Sequence, residues 1–155
     1  DPRLVKEVNM SFLSSFDISA SGMTAERQRL DIAAENISNA ETTRTASGGT
    51  YRRKMVVLQE VPATSFRTRF NSLLNRTASK GGVKVTEIVE DQRDLNPVYN
   101  PDHPDANEEG YVMMPNVDLV KETIDGMSAT RAYEANITAF NAMKLMAQKA
   151  LDIGK

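Results

Sequence analysis

The sequence predicts an α+β protein in which long antiparallel N- and C-terminal helices are paired as a coiled coil, with a small β-containing middle region. Three observations lead there. Phe16, Met23, Leu30 and Ile37 recur at intervals of seven near the start of the chain. Leu119, Tyr133, Phe140 and Ala147 keep the same period near its end, with Gly126 in the vacant place. Between these segments, short runs of β-branched residues are cut by prolines and by glycine pairs.

The C-terminal segment organises the rest. From Met114 it reads M-P-N-V-D-L-V-K-E and then continues to Leu151 without another proline. Pro115 stops whatever precedes it, and the Asn116 side chain is placed to accept from the first free helix amides. Asp118 and Glu122 put negative charge in the first turns, where the helix dipole favours it. Ile137 and Leu151 thicken the apolar side, and Ile124, Met127, Met143, Met146 and Ala150 widen it. A helix over this span is roughly 50 Å long at about 1.5 Å per residue. Burying such a stripe takes a partner of similar length.

That partner is the N-terminal segment, Ser11 to Ala40. Its large residues at Phe16, Met23, Leu30 and Ile37 are separated by Ser19, Ala33 and Ala40, small enough to let another helix come close. A polar run, E-T-T-R-T-A-S-G-G-T, follows Asn39 and ends the helix. Asn36 sits one residue before a seam position. Buried, it needs a hydrogen-bond partner and fixes register; solvated, it does neither. Residues 1–9 precede a start-like Met10 and are set aside from the fold as an upstream extension.

In the middle, Tyr51 to Val61 reads as a strand that Pro62 terminates. Residues 63–80 read either as a short amphipathic helix through Phe66, Phe70, Leu73 and Leu74 or as an inserted loop. Gly81-Gly82 then opens a second strand through Val83, Val85 and Val89. Pro97, Pro101 and Pro104 argue against regular structure in the next stretch, and Tyr111 to Met114 fits a short third strand. The resulting division is 10–45 for the first helix, 46–114 for the β-rich middle with its insertion at 63–80, and 115–155 for the second helix.

Composition narrows the function. The 155 residues carry a net charge of -2, so neither a nucleic-acid surface nor a polybasic membrane anchor is expected. There is no cysteine, which removes disulfides, thiolate metal sites and cysteine nucleophiles. No apolar run approaches the roughly 18 residues of a membrane span, so direct membrane insertion is not expected. The opening D-P-R-L-V-K-E-V-N lacks the apolar core of a secretory signal. The expectation is a cytosolic protein, or one that leaves the cell without a cleaved signal.

Candidate chemistry is thin. The single histidine, His103, lies in a proline-rich loop beside Asp102, Asp105, Glu108 and Glu109, without the spacing of a calcium loop or a transition-metal set. Arg52-Arg53-Lys54 reads as a solvated strand edge. No phosphate loop and no nucleophile elbow occurs. No catalytic, cofactor-binding or metal residues are assigned, and no cofactor is expected. What remains is assembly: Ala129, Ala132, Ala135, Ala139, Ala142, Met143 and Met146 form a second helical face suited to packed neighbours. The alternative is a soluble helical adaptor or scaffold working as a monomer or dimer.

The motifs themselves carry a resemblance. L-D-I-A-A-E-N-I-S-N-A-E-T-T, N-V-D-L-V-K-E and R-A-Y-E-A-N resemble the flagellar axial proteins, the family of rod, hook and hook-associated subunits. Y-R-R-K-M-V-V-L-Q, G-G-V-K-V and P-V-Y-N-P-D-H-P-D-A-N-E-E-G-Y-V-M-M-P-N-V-D are similar to its proximal-rod branch. The resemblance spans Met10 to Lys155, apart from a longer stretch at 63–80 and the residues before Met10.

It implies a structural subunit of the bacterial basal body, exported through the flagellar type III apparatus without a cleaved signal. Such a subunit stacks helically, with copies of itself and other rod proteins as partners, into a hollow periplasmic rod that transmits torque and conducts exported subunits. Asn36, Ile37, Asn39, the stretch Asn116, Val117, Asp118, Leu119 and Val120, and Tyr133, Glu134, Ala135 and Asn136 match the family's motifs. Phe16, Met23, Leu30, Ile137, Phe140, Met143, Ala147 and Leu151 complete the set expected to pack helices or join subunits.

Overall fold

In the computed structural model, residues 2–63 and 80–153 are described. Helix α1 spans Pro2–Ser38, followed by β1 (Lys54–Ala63), β2 (Lys80–Glu90), β3 (Asn96–Tyr99), β4 (Tyr111–Met114) and helix α2 (Leu119–Ile153). β1 pairs with β2, and β3 pairs with β4 in a second two-stranded sheet. The class is α+β. Among the described residues no helix is long and apolar enough to cross a membrane.

The chain divides into two compact units, and each long helix contributes a segment to both. We call the part built from Gln28–Val57 and Glu87–Ala129 the junction unit. The part built from Asp1–Arg27, Leu58–Thr86 and Thr130–Lys155 is the terminal unit.

In the terminal unit the two helices meet through rings and small residues. Phe16 and Phe140 stack edge to face with centroids 4.6 Å apart. Gly22 faces Asn136 so closely that a Cβ there would stand 3.1 Å from Asn136 Nδ2. Moving forward along α1 from Phe16 to Gly22 moves backward along α2 from Phe140 to Asn136, so these segments run antiparallel. β2 joins α1 where the Val83 amide donates to Ser21 Oγ at 3.1 Å. Gly82 permits that approach: its φ is +114°, and a Cβ would fall 2.4 Å from Ser21 Oγ. Residues 2–9, set aside in the sequence, continue the helical backbone of α1.

In the junction unit, α1 ends where Asn39 takes over the backbone bonding. Its Nδ2 donates to Glu35 O at 2.9 Å, and its Oδ1 accepts from Thr42 Oγ1 at 3.1 Å. A turn through Gly48 and Gly49, at φ 84° and 85°, brings the Tyr51 amide back to Thr42 O at 3.1 Å. β3 and β4 pair antiparallel, with Tyr99 opposite Tyr111 and Pro97 opposite Met113.

Three sequence expectations are corrected. Pro62 lies inside β1, near its end, and does not terminate the strand. Pro97 lies inside β3, because a two-stranded ribbon leaves each strand one edge that needs no amide donor. Helix α2 is capped by Asp118, whose Oδ1 accepts from the Val120 and Lys121 amides at 3.0 and 3.1 Å; Asn116 does not cap it. The readings made for 63–80 fall on residues 64–79, which lie outside the described residues.

Candidate functional site

The buried centre of the junction unit is as polar as it is apolar. Ile32, Ala33, Tyr51, Val112 and Ala129 are buried together with Asn36, Arg53, Asp91, Asn116 and Glu122. Burying this many polar groups is tolerable only when each finds partners. Here they find one another.

Asn36, on the last turns of α1, is 0 % exposed and makes four hydrogen bonds. Its Nδ2 donates to Lys54 O and to Glu122 Oε2, both at 2.9 Å. Its Oδ1 accepts from the Lys54 amide and from the Tyr51 hydroxyl, again at 2.9 Å. One amide side chain thereby joins α1, the start of β1 and α2, with its hydrogen-bonding capacity filled.

Glu122 is 1 % exposed and is held from two sides. Oε2 accepts from Asn36, and Oε1 is in direct ion-pair contact with Arg53 Nε. Arg53 also reaches Asp125 Oδ2 at 3.2 Å. The Arg53 backbone enters the same network, its amide donating to Asn116 Oδ1 at 2.8 Å. Asn116 Nδ2 in turn donates to the carbonyls of Asp91 and Arg93 at 3.1 Å each. The segment before α2, the entry to β1 and the exit from β2 are therefore tied at one point. The basic triplet is no solvated edge: Arg53 is buried against carboxylates, and Lys54 pairs with Glu35 at 2.6 Å.

The electrostatics follow from this packing. Burial, reinforced by the carboxylates of Glu35, Glu122 and Glu90, pushes the Tyr51 hydroxyl up to about 12. Hydrogen bonds from the Arg93 side chain and amide hold the Asp91 carboxyl below its ordinary value. At the periphery, Asp105 is lowered by a hydrogen bond from Thr43 and by the nearby Arg44 guanidinium, fastening the 100–110 loop to the stretch after α1.

An open cleft of about 300 Å³ lies beside this network, lined by Arg53, Arg93, Asp94, Asn96, Asn116, Val117, Asp118 and Lys121. Both oxygens of Glu122 and both polar atoms of Asn36 are already engaged by neighbours. The arrangement cross-links chain segments.

The structure distributes the residues picked from the sequence unevenly. Asn36 and Asn116 sit in the buried network, and Asn39 closes α1. Phe16, Met23, Tyr133, Asn136, Phe140, Met143, Ala147 and Val117 are half-buried. Leu30 and Ile37 are 39 % and 40 % exposed, while Ala33 and Asn36 face inward between them. The seam of α1 in this unit is therefore displaced from the row of large residues onto small and polar ones. Leu119, Ile137 and Leu151 also face outward. Sequence reasoning missed Tyr51, Arg53, Asp91 and Glu122 as a set. The one signal was a glutamate at helical spacing from Gly126 and Ala129, which completes the buried row of α2.

Two family models match the chain. One, described as flagella basal body rod protein, covers residues 16–44. The other, described as flagellar basal body rod FlgEFG protein C-terminal, covers residues 108–153. The flagellar basal-body rod protein FlgC of Bacillus subtilis is 49 % identical over 151 residues, covering 94 % of this chain and 100 % of the relative. The FlgC protein of Salmonella typhimurium is 40 % identical, with 94 % and 100 % covered. That of Borreliella burgdorferi is 39 % identical, with 93 % and 98 % covered. With identity at this level over nearly the whole length of each relative, and with its buried polar residues engaged in cross-linking the fold, the chain belongs to the FlgC family of flagellar basal-body rod proteins, which are structural subunits and not enzymes.

Proposed function

We propose that this rod subunit pairs its two terminal helices along their length as an antiparallel coiled coil and polymerises helically through them. The helical ends, 10–45 and 115–155, form the wall of a hollow proximal rod, and the β-rich middle, 46–114, lies outside it. Copies of the chain and other rod proteins are its partners. It reaches its place through the flagellar type III export apparatus, without a cleaved signal, and there transmits torque while conducting exported subunits.

The observation that carries this reading is the antiparallel meeting of the two helices within each unit. Phe16 and Gly22 meet Phe140 and Asn136 in one; Ala33 and Asn36 meet Gly126 and Glu122 in the other. Torque transmission needs stiffness, which close-packed helices with a fully hydrogen-bonded joint supply. The packing residues named from the sequence, including Met23, Tyr133, Ile137, Phe140, Met143, Ala147 and Leu151, make the contacts between helices and between subunits in this account.

Electron cryomicroscopy of basal bodies from the native cell tests it. Density for this chain should show α1 and α2 side by side against the channel. Density with the helices apart, or a rod without this chain, would overturn it. In cells, Phe140→Asp should abolish rod incorporation while the junction unit still folds; normal motility with an intact rod would count against the proposal.

A further inference from the structure

In the junction unit one small motif recurs: a side chain accepts a hydrogen bond from the backbone amide two residues on. Asp91 Oδ1 accepts from Arg93 at 3.0 Å, Asn107 Oδ1 from Glu109 at 3.0 Å, Asp118 Oδ1 from Val120 at 3.0 Å and His103 Nδ1 from Asp105 at 3.1 Å. The first three acceptors are carboxylate or amide oxygens, which accept throughout the range around neutrality. The fourth belongs to the only histidine of the chain. A ring nitrogen that accepts carries no proton, so the proton of neutral His103 sits on Nε2. A second proton goes to Nδ1 and turns the acceptor into a donor that faces another donor, the Asp105 amide.

Asp105 is also the residue that fastens the 100–110 loop to the stretch after α1. Thr43 Oγ1 donates to its Oδ2 at 2.8 Å, and Arg44 is in direct ion-pair contact with its Oδ1. Both carboxylate oxygens are thus in use while His103 is neutral. The loop otherwise closes on itself, with the Ala106 amide donating to His103 O at 3.0 Å and the Asn100 amide to Gly110 O at 2.9 Å. His103 and Asp105 are half-buried, so the imidazole is within reach of solvent protons. The charged groups of the two segments are Asp102, Asp105, Glu108 and Glu109 on the loop, and Glu41 and Arg44 on the stretch that meets it. Carboxylates outnumber the single guanidinium, so a charged imidazole is tolerated in the folded loop.

We propose that His103 is a proton-operated latch on this loop. Neutral, it holds the Asp105 amide and leaves the carboxylate to Thr43 and Arg44. Protonated, it loses the amide and donates from Nδ1 to the Asp105 carboxylate, a charge-assisted bond. That draws the carboxylate away from Thr43 and Arg44 and releases the loop from the stretch after α1. The acceptor role of Nδ1 fixes the sign. The loop is fastened above the range in which histidines titrate, about pH 5–8, and freed below it.

With one imidazole in the chain, its ring signals in nuclear magnetic resonance are unambiguous. In 15N-labelled full-length subunit taken from about pH 8 to pH 5, the ring shifts should place the proton of the neutral form on Nε2. Hydrogen exchange at the Asp105 amide is read against that at Glu109, which Asn107 holds in the same way, so that the ordinary pH dependence of exchange cancels. The ratio should rise about fivefold as the ring is protonated, the worth of one ordinary hydrogen bond. The amide shifts of Thr43 and Arg44 should move with the same midpoint. His103→Asn, which puts an amide oxygen where Asn107 has one, should hold the ratio and both shifts constant. A ratio that stays flat in the unsubstituted chain, or that changes equally in the variant, would overturn the latch. So would Thr43 and Arg44 shifts that do not follow the ring. Each of these failures leaves the rod-subunit reading standing.

Discussion

Around Asn36 and Glu122 the two helices are joined by hydrogen bonds with named partners; around Phe16 and Phe140 they are joined by contact between rings. The difference concerns specificity. A filled amide and a buried ion pair tolerate one register, because any slip strands a polar group away from water. Ring contacts and small residues tolerate adjustment. All the buried residues of α2, Glu122, Gly126 and Ala129, belong to the junction unit. In the terminal unit Leu145, Met146, Leu151 and Ile153 are 61 % to 86 % exposed. Along α2, the first region buries a row of residues against its own chain, and the second buries none of its described residues.

The largest effect expected is that of Glu122→Ala. It removes the carboxylate from Arg53 Nε and leaves the buried guanidinium with the half-exposed Asp125 as its ion-pair partner among the described residues, and such a broken pair costs about 3–5 kcal/mol. Urea unfolding of the purified subunit reads this directly. A loss under about 1 kcal/mol, the range of exposed pairs, would remove the claim that the junction is fixed by its polar groups.

Next comes pH. The Tyr51 hydroxyl titrates near 12 in the fold and near 10 when unfolded, so the folded state holds its proton more tightly. The stability this reflects is complete below pH 10 and is lost as pH rises through 12, amounting to on the order of 2–3 kcal/mol. Tyr51→Phe should flatten the stability profile across that window. A profile of unchanged slope in this variant would place the alkaline loss elsewhere.

Part of this was legible in advance and part was not. Helix α1 and its end beside Asn39 followed from periodicity and a polar run, and β4 from four residues of strand character. The inward row of α1 did not, because periodicity weights large residues while this joint is made by Ala33 and Asn36. Nor did the partner of Glu122, since Arg53 is 69 positions away and reads locally as one of three basic residues. Asn116 sits where a cap is expected, yet its amide serves three backbone groups of other segments, and Asp118 caps the helix instead. Local rules fail here where distant segments compete for the same side chain.

Smaller effects sharpen the contrast. Phe140→Leu, which keeps most of the apolar area and loses the ring pair, should cost the lone subunit about 1 kcal/mol, measured by the same unfolding curves. A cost as large as that of Glu122→Ala would erase the distinction between the two regions. Gly126→Ala should raise stability by about 0.4–1 kcal/mol. Its added Cβ would meet Leu30 and Ala33 at ordinary distances of 3.6 and 3.8 Å. A destabilised variant would mean the helices are closer there than the structure places them.

Hydrogen exchange along α2 tests the central claim most directly. In the isolated subunit, amides from Glu122 to Ala129 should be strongly protected, and protection should fall away through Leu145 to Ile153. In assembled rods the whole helix should be protected. Equal protection along all of α2 in the isolated subunit would contradict the account.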